Sequence, residues 1–291
     1  AGTTTITYSV TTSCGNATVS QDITVNALAN AGTISGPVAV CESASIFLSS
    51  NITGGIWASN TPGVATVNSS GKVTGVAAGN VTITYTVTTT CGVNKATYNI
   101  TVNPIPNAGT LDGQPTVCVG ASIFLVNTGG SLGGTWRSSN PARASVDAVT
   151  GQITGISAGS TIVTYTVTNS CGSSTAGMLI VVNSLPDAGT VSGLSSVCVG
   201  SNINLSASGN SGGTWTSTAI NVATVDPTTG VVTGVAQGAA TIVYTVGSEE
   251  VCGLSSATHL VTVNPLAISG TITGFSSVCT GLSANFSTSS S

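Results

Sequence analysis

The chain has 291 residues, 41% of them hydrophobic, yet it carries only four Lys or Arg, eight Asp or Glu and one His, for a net charge of −4. Four cations make no basic stripe for nucleic-acid phosphates, and so weak a charge on so apolar a chain excludes a disordered polyelectrolyte. Titratable groups are too sparse for general acid–base catalysis to be expected, so the surface must be clad in Thr, Ser, Asn and Gly.

Taken in chain order, the elements form a repeat. Trp57, Trp136 and Trp215 recur at intervals of 79 and 79, and Tyr8, Tyr85, Tyr165 and Tyr244 at 77, 80 and 79. Cys14, Cys91, Cys171 and Cys252 recur at 77, 80 and 81; Cys41, Cys118, Cys198 and Cys279 keep the same register. One unit is therefore about 80 residues, a period that must be recognised before any local reading. Residues 1–26 read as the C-terminal half of a preceding unit, its strands F and G. Residues 27–104, 105–184 and 185–265 are whole units. Residues 266–291 read as the N-terminal half, strands A and B, of a following one. Neither end piece has a core of its own. Continuation of the chain at both ends is the favoured expectation; complementation between successive molecules would lack strands C, D and E. Ala1 opens without Met, a charged segment or an apolar one, so a processed form or a window of a longer chain is expected.

Each unit reads as all-β. The runs at 82–88, 161–168 and 241–246 alternate β-branched and polar residues, the period of a half-buried strand. Turn signals fall every 8–12 residues, as sandwiches and barrels require. Lettered as an immunoglobulin-like sandwich, the middle unit places A and A′ at 108–118, B at 121–127, C around Trp136, D and E at 144–156, F at 161–168 and G at 175–183. Linkers are short and restricted by Pro104, Pro106, Pro186 and Pro265 rather than being loose Gly/Ser tethers. The expected fold is a tandem of such sandwiches forming a rod, with about 35–45 Å per unit from strand lengths and turns.

The run GGIWASNTPGVATVNSSGKVTGVAAGNVTITYTV at 54–87, with its counterparts GGTWRSSNPARASVDAVTGQITGISAG and GGTWTSTAINVATVDPTTGVVTGVAQG, resembles the bacterial immunoglobulin-like (Big) repeats of surface adhesins and secreted filamentous proteins. The VCVG and NSCG signatures look like the cysteine-bearing variety common in very large surface proteins of the Bacteroidetes type. The resemblance covers essentially the whole chain and is specific for fold, not for ligand. It implies extracellular display as a stalk, spacer, adhesin or polymer subunit.

The marked residues read as structural. An indole at the start of strand C (Trp57, Trp136, Trp215) is expected to fill the centre of a sandwich; a sugar-stacking platform is the lesser alternative. The strand-F tyrosines Tyr85, Tyr165 and Tyr244 are expected to be structural too, with the hydroxyl bonded to backbone. Eight cysteines without a C-x-x-C pair or a nearby His fit an oxidising setting rather than a metal site. Cys14, Cys91, Cys171 and Cys252 lie in F–G hairpins; Cys41, Cys118, Cys198 and Cys279 lie just before the A′–B turn. Those two places lie at opposite ends of one sandwich, separated by about five to six residues of strand at roughly 3.3 Å each, beyond the roughly 7 Å between Cα atoms that a disulfide tolerates. Head-to-tail stacking instead brings Cys41 to Cys171 and Cys118 to Cys252. Pairs within a unit (Cys41–Cys91, Cys118–Cys171, Cys198–Cys252) remain open if the lettering is off, as do free thiols and bonds between chains.

The chemical motifs are weak. GISAG at 155–159 and GNSGG at 209–213 match G-x-S-x-G without the strand-to-helix turn that a nucleophile needs, and His259 is the one imidazole. Asp112, Asp147, Asp187, Asp226, Glu42, Glu249 and Glu250 are scattered rather than clustered as calcium ligands; a linker site through Asp187 is a minor alternative. No catalytic residue, cofactor or metal set is therefore expected. The expected partners are copies of the chain itself or neighbouring repeats of a longer chain, with glycans on sequons such as Asn51 and Asn80, no nucleic acid and no membrane insertion. Two functions remain: an extracellular structural rod forming or belonging to a bacterial filament or sheath, or the monomeric stalk of an adhesin whose binding head lies elsewhere.

Overall fold

Alternating Thr and β-branched residues make strands with one apolar and one hydroxylated face. Strands are the regular elements of the molecule, and no helix occurs among the described residues. The computed structural model of the protein describes residues 1–289; the last two residues of the 266–291 piece, Ser290 and Ser291, lie outside the described residues. The architecture is a tandem of immunoglobulin-like β-sandwiches.

The second repeat shows the plan. One sheet runs A (Thr110–Gly113), B (Ser122–Thr128), E (Gln152–Gly155), D (Ala144–Val146), all antiparallel. The facing sheet runs A′ (Thr116–Cys118), G (Gly172–Asn183), F (Gly159–Asn169), C (Thr135–Ser138), with A′ parallel to G. The third repeat has the same two orders. The first keeps the A′-G-F-C sheet, but its other sheet is split: strand B is broken at Leu48 into Ser45–Phe47 and Ser49–Ser50.

The apolar faces close on one another. In the second repeat Val117, Leu125, Trp136, Ile153, Val163, Tyr165, Val167, Ile180 and Val182 form one buried cluster; the third repeat has its equivalent around Trp215. In the first repeat the core divides into a group around Leu48 and Ile83 and a smaller one around Tyr85, with Trp57 packed partly against both. Trp136 and Trp215 are buried, whereas Trp57 is half-buried, which corrects the expectation of three equivalent central indoles.

Strands F and G correct a second expectation. They run 11 and 12 residues in each repeat, three more apiece than the 161–168 and 175–183 expected in the second. Strand C covers only part of F: in the second repeat its pairing ends at Thr135 opposite Thr166. The remaining F–G ribbon overhangs the sandwich and reaches the neighbouring repeat. The end pieces keep the same pairing. Residues Gly2–Thr12 and Gly15–Val25 form a hairpin in F–G register, and Ile272–Gly274 pairs with Phe286–Thr288 as A pairs with B.

Candidate functional site

The seams between repeats are where the structure concentrates side-chain chemistry. At the first seam, parallel pairing of A′ with G sets Cys41 opposite Asn103, the last residue of its strand G. The chain turns at Pro104 and enters the second repeat, whose overhanging F–G ribbon brings its tip, Ser170 and Cys171, back over that linker. A tight turn returns the ribbon at Gly172, whose φ of +131° is one that residues with a Cβ rarely adopt. Asn169 shapes the tip by accepting the Cys171 N–H at 2.8 Å, and its Nδ2 donates to the Pro104 carbonyl at 2.9 Å. Asn103 Nδ2 donates to Ser170 Oγ at 3.3 Å. Within this cradle Cys41 and Cys171 form a disulfide with Cα atoms 5.6 Å apart, across 130 residues of sequence.

The linker is clamped from the other side by Glu42. Its carboxylate accepts the Ala78 N–H at 2.8 Å and the Ile105 N–H at 3.3 Å, tying the E–F turn of one repeat to the first linker residues of the next. Farther on, the buried Ala108 donates its N–H to Ser174 Oγ at 3.0 Å, anchoring the start of strand A on the F–G ribbon.

The second seam repeats the plan with different parts. Cys118 and Cys252 form a disulfide with Cα atoms 5.8 Å apart. Ala188 donates to Ser255 Oγ at 3.1 Å, as Ala108 does to Ser174. The tip is longer, since Ser248 pairs with Gly253 and leaves Glu249, Glu250, Val251 and Cys252 in the turn. Val119 stands where Glu42 stands, so this seam has no carboxylate clamp. Cys14, Cys91, Cys198 and Cys279 are free and exposed. None of the pairs within a repeat is bonded.

Inside each sandwich the Trp and Tyr of the repeat meet. Ring centroids lie 4.6 Å apart for Trp57–Tyr85, 4.8 Å for Trp136–Tyr165 and 4.6 Å for Trp215–Tyr244, all tilted. Each Tyr hydroxyl ties down the B–C loop: Tyr165 donates to the Ser131 carbonyl at 3.1 Å and accepts the Gly134 N–H at 2.8 Å. Tyr85 bonds Ile52 and Gly55, and Tyr244 bonds Asn210 and Gly213, in the same way. A Cβ on Gly134 would lie 2.3 Å from the Tyr165 ring, so this close approach requires glycine. Beside two of these pairs the surface dips into open hollows of about 420 Å³ (Trp215, Tyr244, Thr228) and about 330 Å³ (Trp57, Tyr85, Ser70).

The other singled-out residues do not converge. Ser157 donates to the Ala142 carbonyl in the E–F turn, Ser211 lies in the B–C loop, and His259 Nε2 pairs with Ser195 Oγ at 3.1 Å on strand G. Asp187 accepts the Gly189 N–H at 2.8 Å, and Asp112 that of Gly113 at 2.8 Å. Asp147 and Asp226 cap D–E turns, and both carboxyls are held below the usual range. For Asp226 the Thr229 backbone N–H leads, followed by the hydroxyls of Thr229 and Thr228, bringing it to about 2. For Asp147 the Thr150 backbone N–H is the main cause. No group of three or more metal-ligating side chains occurs among the described residues. Sequence reasoning missed the Glu42 clamp and the Asn103–Ser170 and Asn169–Pro104 contacts. The recurring Val-Asn pair at the end of every strand G was the visible signal of the Asn103 contact alone.

A family model, Bacterial Ig-like domain (group 2), matches residues 47–98 and 186–252. The chain matches no curated protein sequence. Among solved structures, an I-band fragment of titin is 13% identical, over 82% of this chain and 98% of that one, with a TM-score of 0.41. The Ca²⁺-stabilized adhesin that helps an Antarctic bacterium reach out and bind ice is 16% identical over 85% and 78%, with a TM-score of 0.30. Domains 1–6 of the surface layer protein SbsC are 16% identical over 94% and 46%, with a TM-score of 0.26.

Proposed function

We propose that the chain is an extracellular structural element: a stiff, disulfide-stapled row of Ig-like repeats, with units at 27–104, 105–184 and 185–265, that forms or belongs to a bacterial surface filament or sheath. The observation that carries the reading is the pair of disulfides between successive repeats. A bond across a seam resists bending and pulling apart, whereas a bond within a repeat would only stabilise that repeat. Each also contributes about 2–4 kcal/mol by constraining the unfolded chain. Disulfides persist in oxidising compartments, which supports display outside the cytoplasm, and their spacing supports the cysteine-bearing, Bacteroidetes-type variety of the repeat. The near absence of charge removes the repulsion that keeps neighbouring rods apart and leaves Thr/Ser faces free to pack laterally. In the three whole repeats the Trp and strand-F Tyr rings are committed to cores and loops, which supports a mechanical role over sugar stacking.

Small-angle scattering of the oxidised protein, repeated after reduction, tests the reading. A rigid elongated particle that loosens on reduction is the expected result. A freely jointed particle in the oxidised state overturns it. Electron microscopy at high concentration then separates the two uses of a stiff rod: ordered fibres support the filament, and single slender rods make the chain a stalk.

A further inference from the structure

The two disulfides overlap along the chain. Cys41–Cys171 spans 130 residues and Cys118–Cys252 spans 134, and the 53 residues from Cys118 to Cys171 belong to both loops. The shortest covalent route between two points sets how far they can be drawn apart. From Cys41 to Cys252 that route crosses the first bond to Cys171, runs back through the second repeat to Cys118 and crosses the second bond. It holds 53 residues where the backbone holds 211. At roughly 3.3–3.6 Å per extended residue, the ceiling falls from about 730 Å to about 180 Å. The backbone alternatives, 77 residues from Cys41 to Cys118 and 81 from Cys171 to Cys252, are longer than 53 and stay slack. Trp57 and Trp215, with most of the first and third repeats, lie on those slack routes.

The folded second repeat supplies an independent observation. Its two bonded cysteines sit at opposite ends of one strand pair. Cys171 leads directly into strand G at Gly172, and Cys118 closes strand A′ opposite Asn183, the last residue of G. Tension draws Cys171 toward the first repeat and Cys118 toward the third. Because A′ and G are parallel, that pull slides one strand along the other. The hydrogen bonds of the pair lie across the pull and share it, whereas peeling a strand away would load them one at a time. The flanking bonds add to the same line: the Val181 N–H donates to the Pro115 carbonyl at 2.9 Å, and the Val119 N–H to that of Asn183 at 3.0 Å.

We propose that the overlapping staples make the oxidised chain an extension-limited tether. Tension passes from the first staple along strand G of the second repeat, across its A′–G pair and into the second staple. Between the staples the second repeat alone yields, and only by its 53 residues. Reduction lifts the limit: a dithiol gives two electrons and two protons to each S–S bond, leaving two cysteine thiols, and itself closes to a disulfide. The limit holds between Cys41 and Cys252 whatever chain flanks them. The proposal rests on the reading of the chain as a stapled rod and states what the staples do under load.

The test is single-molecule stretching of the full chain, held at its two ends, with and without dithiothreitol. Segments outside the staples contribute equally to both states, so the gain in contour length on reduction reads the slack alone. The expected gain is about 550 Å. Overlapping loops hide less together than the sum of the two, which gives the proposal a signature. With Cys118→Ser and Cys252→Ser combined, the first staple still hides 130 residues, and the gain stays at about four-fifths of the original, about 450 Å. Cys41→Ser with Cys171→Ser leaves the other loop of 134 and nearly the same gain. None of the four cysteines belongs to a sandwich core, so the variants keep their cores. Three bonds within repeats would give a similar gain in the unaltered chain, but either paired replacement would then cut it to about a third. That result, or no gain on reduction, overturns the proposal. A chain rigid in scattering whose gain falls to a third sinks the limiter and leaves the rod. A freely jointed scatterer with the expected gains sinks the rod and leaves the limiter.

Discussion

The first and second repeats share a sequence pattern and a sheet order, yet their cores differ. In the second, Trp136 is buried in one continuous cluster; in the first, Trp57 is half-buried between two. The D–E turn differs alongside the core. The second repeat has Asp147-Ala148-Val149-Thr150-Gly151 and the third Asp226-Pro227-Thr228-Thr229-Gly230, whereas the first has Asn68-Ser69-Ser70-Gly71, one residue fewer. The extra residue sits over strand C. Trp136 donates its backbone N–H to the Ala148 carbonyl at 3.0 Å, and Trp215 donates to that of Pro227 at 3.0 Å. The shorter turn makes no such bond, and small serines, Ser69 and Ser70, border the hollow at Trp57 instead. A turn one residue shorter thus goes with a missing backbone bond to strand C and a more exposed indole.

The strongest way to break the comparison is to remove the rings. Trp136→Ala is expected to cost the second repeat about 3–5 kcal/mol, the range for a large aromatic cut out of a closed core. Trp57→Ala is expected to cost the first repeat clearly less, because its ring is only partly buried and its removal leaves a smaller enclosed cavity. Hydrogen exchange resolved by repeat reads both. Equal losses would show that the difference in exposure has no energetic weight.

A milder change should erase the difference. Tyr85→Phe and Tyr165→Phe each strip a hydroxyl that satisfies one carbonyl and one N–H of the B–C loop. Both are expected to cost about 1–3 kcal/mol and to be alike, since the two hydroxyls make the same pair of bonds. Unequal costs would mean that the turn length reaches the loop as well as the indole. Grafting Asp-Pro-Thr-Thr-Gly in place of Asn68-Ser69-Ser70-Gly71 is expected to bury Trp57 further and slow exchange in the first repeat. Unchanged exchange would exonerate the turn.

Much of this was legible in the sequence, for identifiable reasons. The Trp, Tyr and Cys intervals mark the repeat because each residue has one fixed place in the sandwich, and alternation marks strand F because its inner face is buried. Strand lengths were only partly legible: the run read at 82–88 stops short of Thr89, yet Thr88 pairs with Val93 and Thr89 with Gly92 simply because F and G are adjacent. The cross-seam closeness of Cys41 and Cys171 followed from which end of the sandwich each occupies, although strands F and G were read three residues short, since longer strands only separate the ends further. Glu42 was unreadable as a clamp because its partners are backbone amides, which no side-chain pattern announces.

The smallest expected effect comes from the same turn and divides the repeats by pH. Asp147 and Asp226 accept the N–H groups of the residues that follow them, and Asn68 accepts those of Ser70 and Lys72 at the corresponding place. The amide cannot titrate; the carboxylates can. Their folded pKa values lie below the ordinary carboxylate value, about 2 for Asp226, so the unfolded chain binds the proton more tightly than the folded one. Their contribution to stability is therefore complete above pH ~4 and is lost on further acidification, for Asp226 as the pH falls through about 2, the direction linkage requires for a depressed acid. Both groups are in solvent, so the effect is a local loosening rather than unfolding. In an NMR titration the Thr229 and Thr150 amides should shift together with their carboxylates at low pH while Ser70 stays still. Asp226→Asn should silence Thr229 alone. Movement of Ser70 with the same midpoint would instead mean that acid acts on the sandwich as a whole and that the turns merely report it.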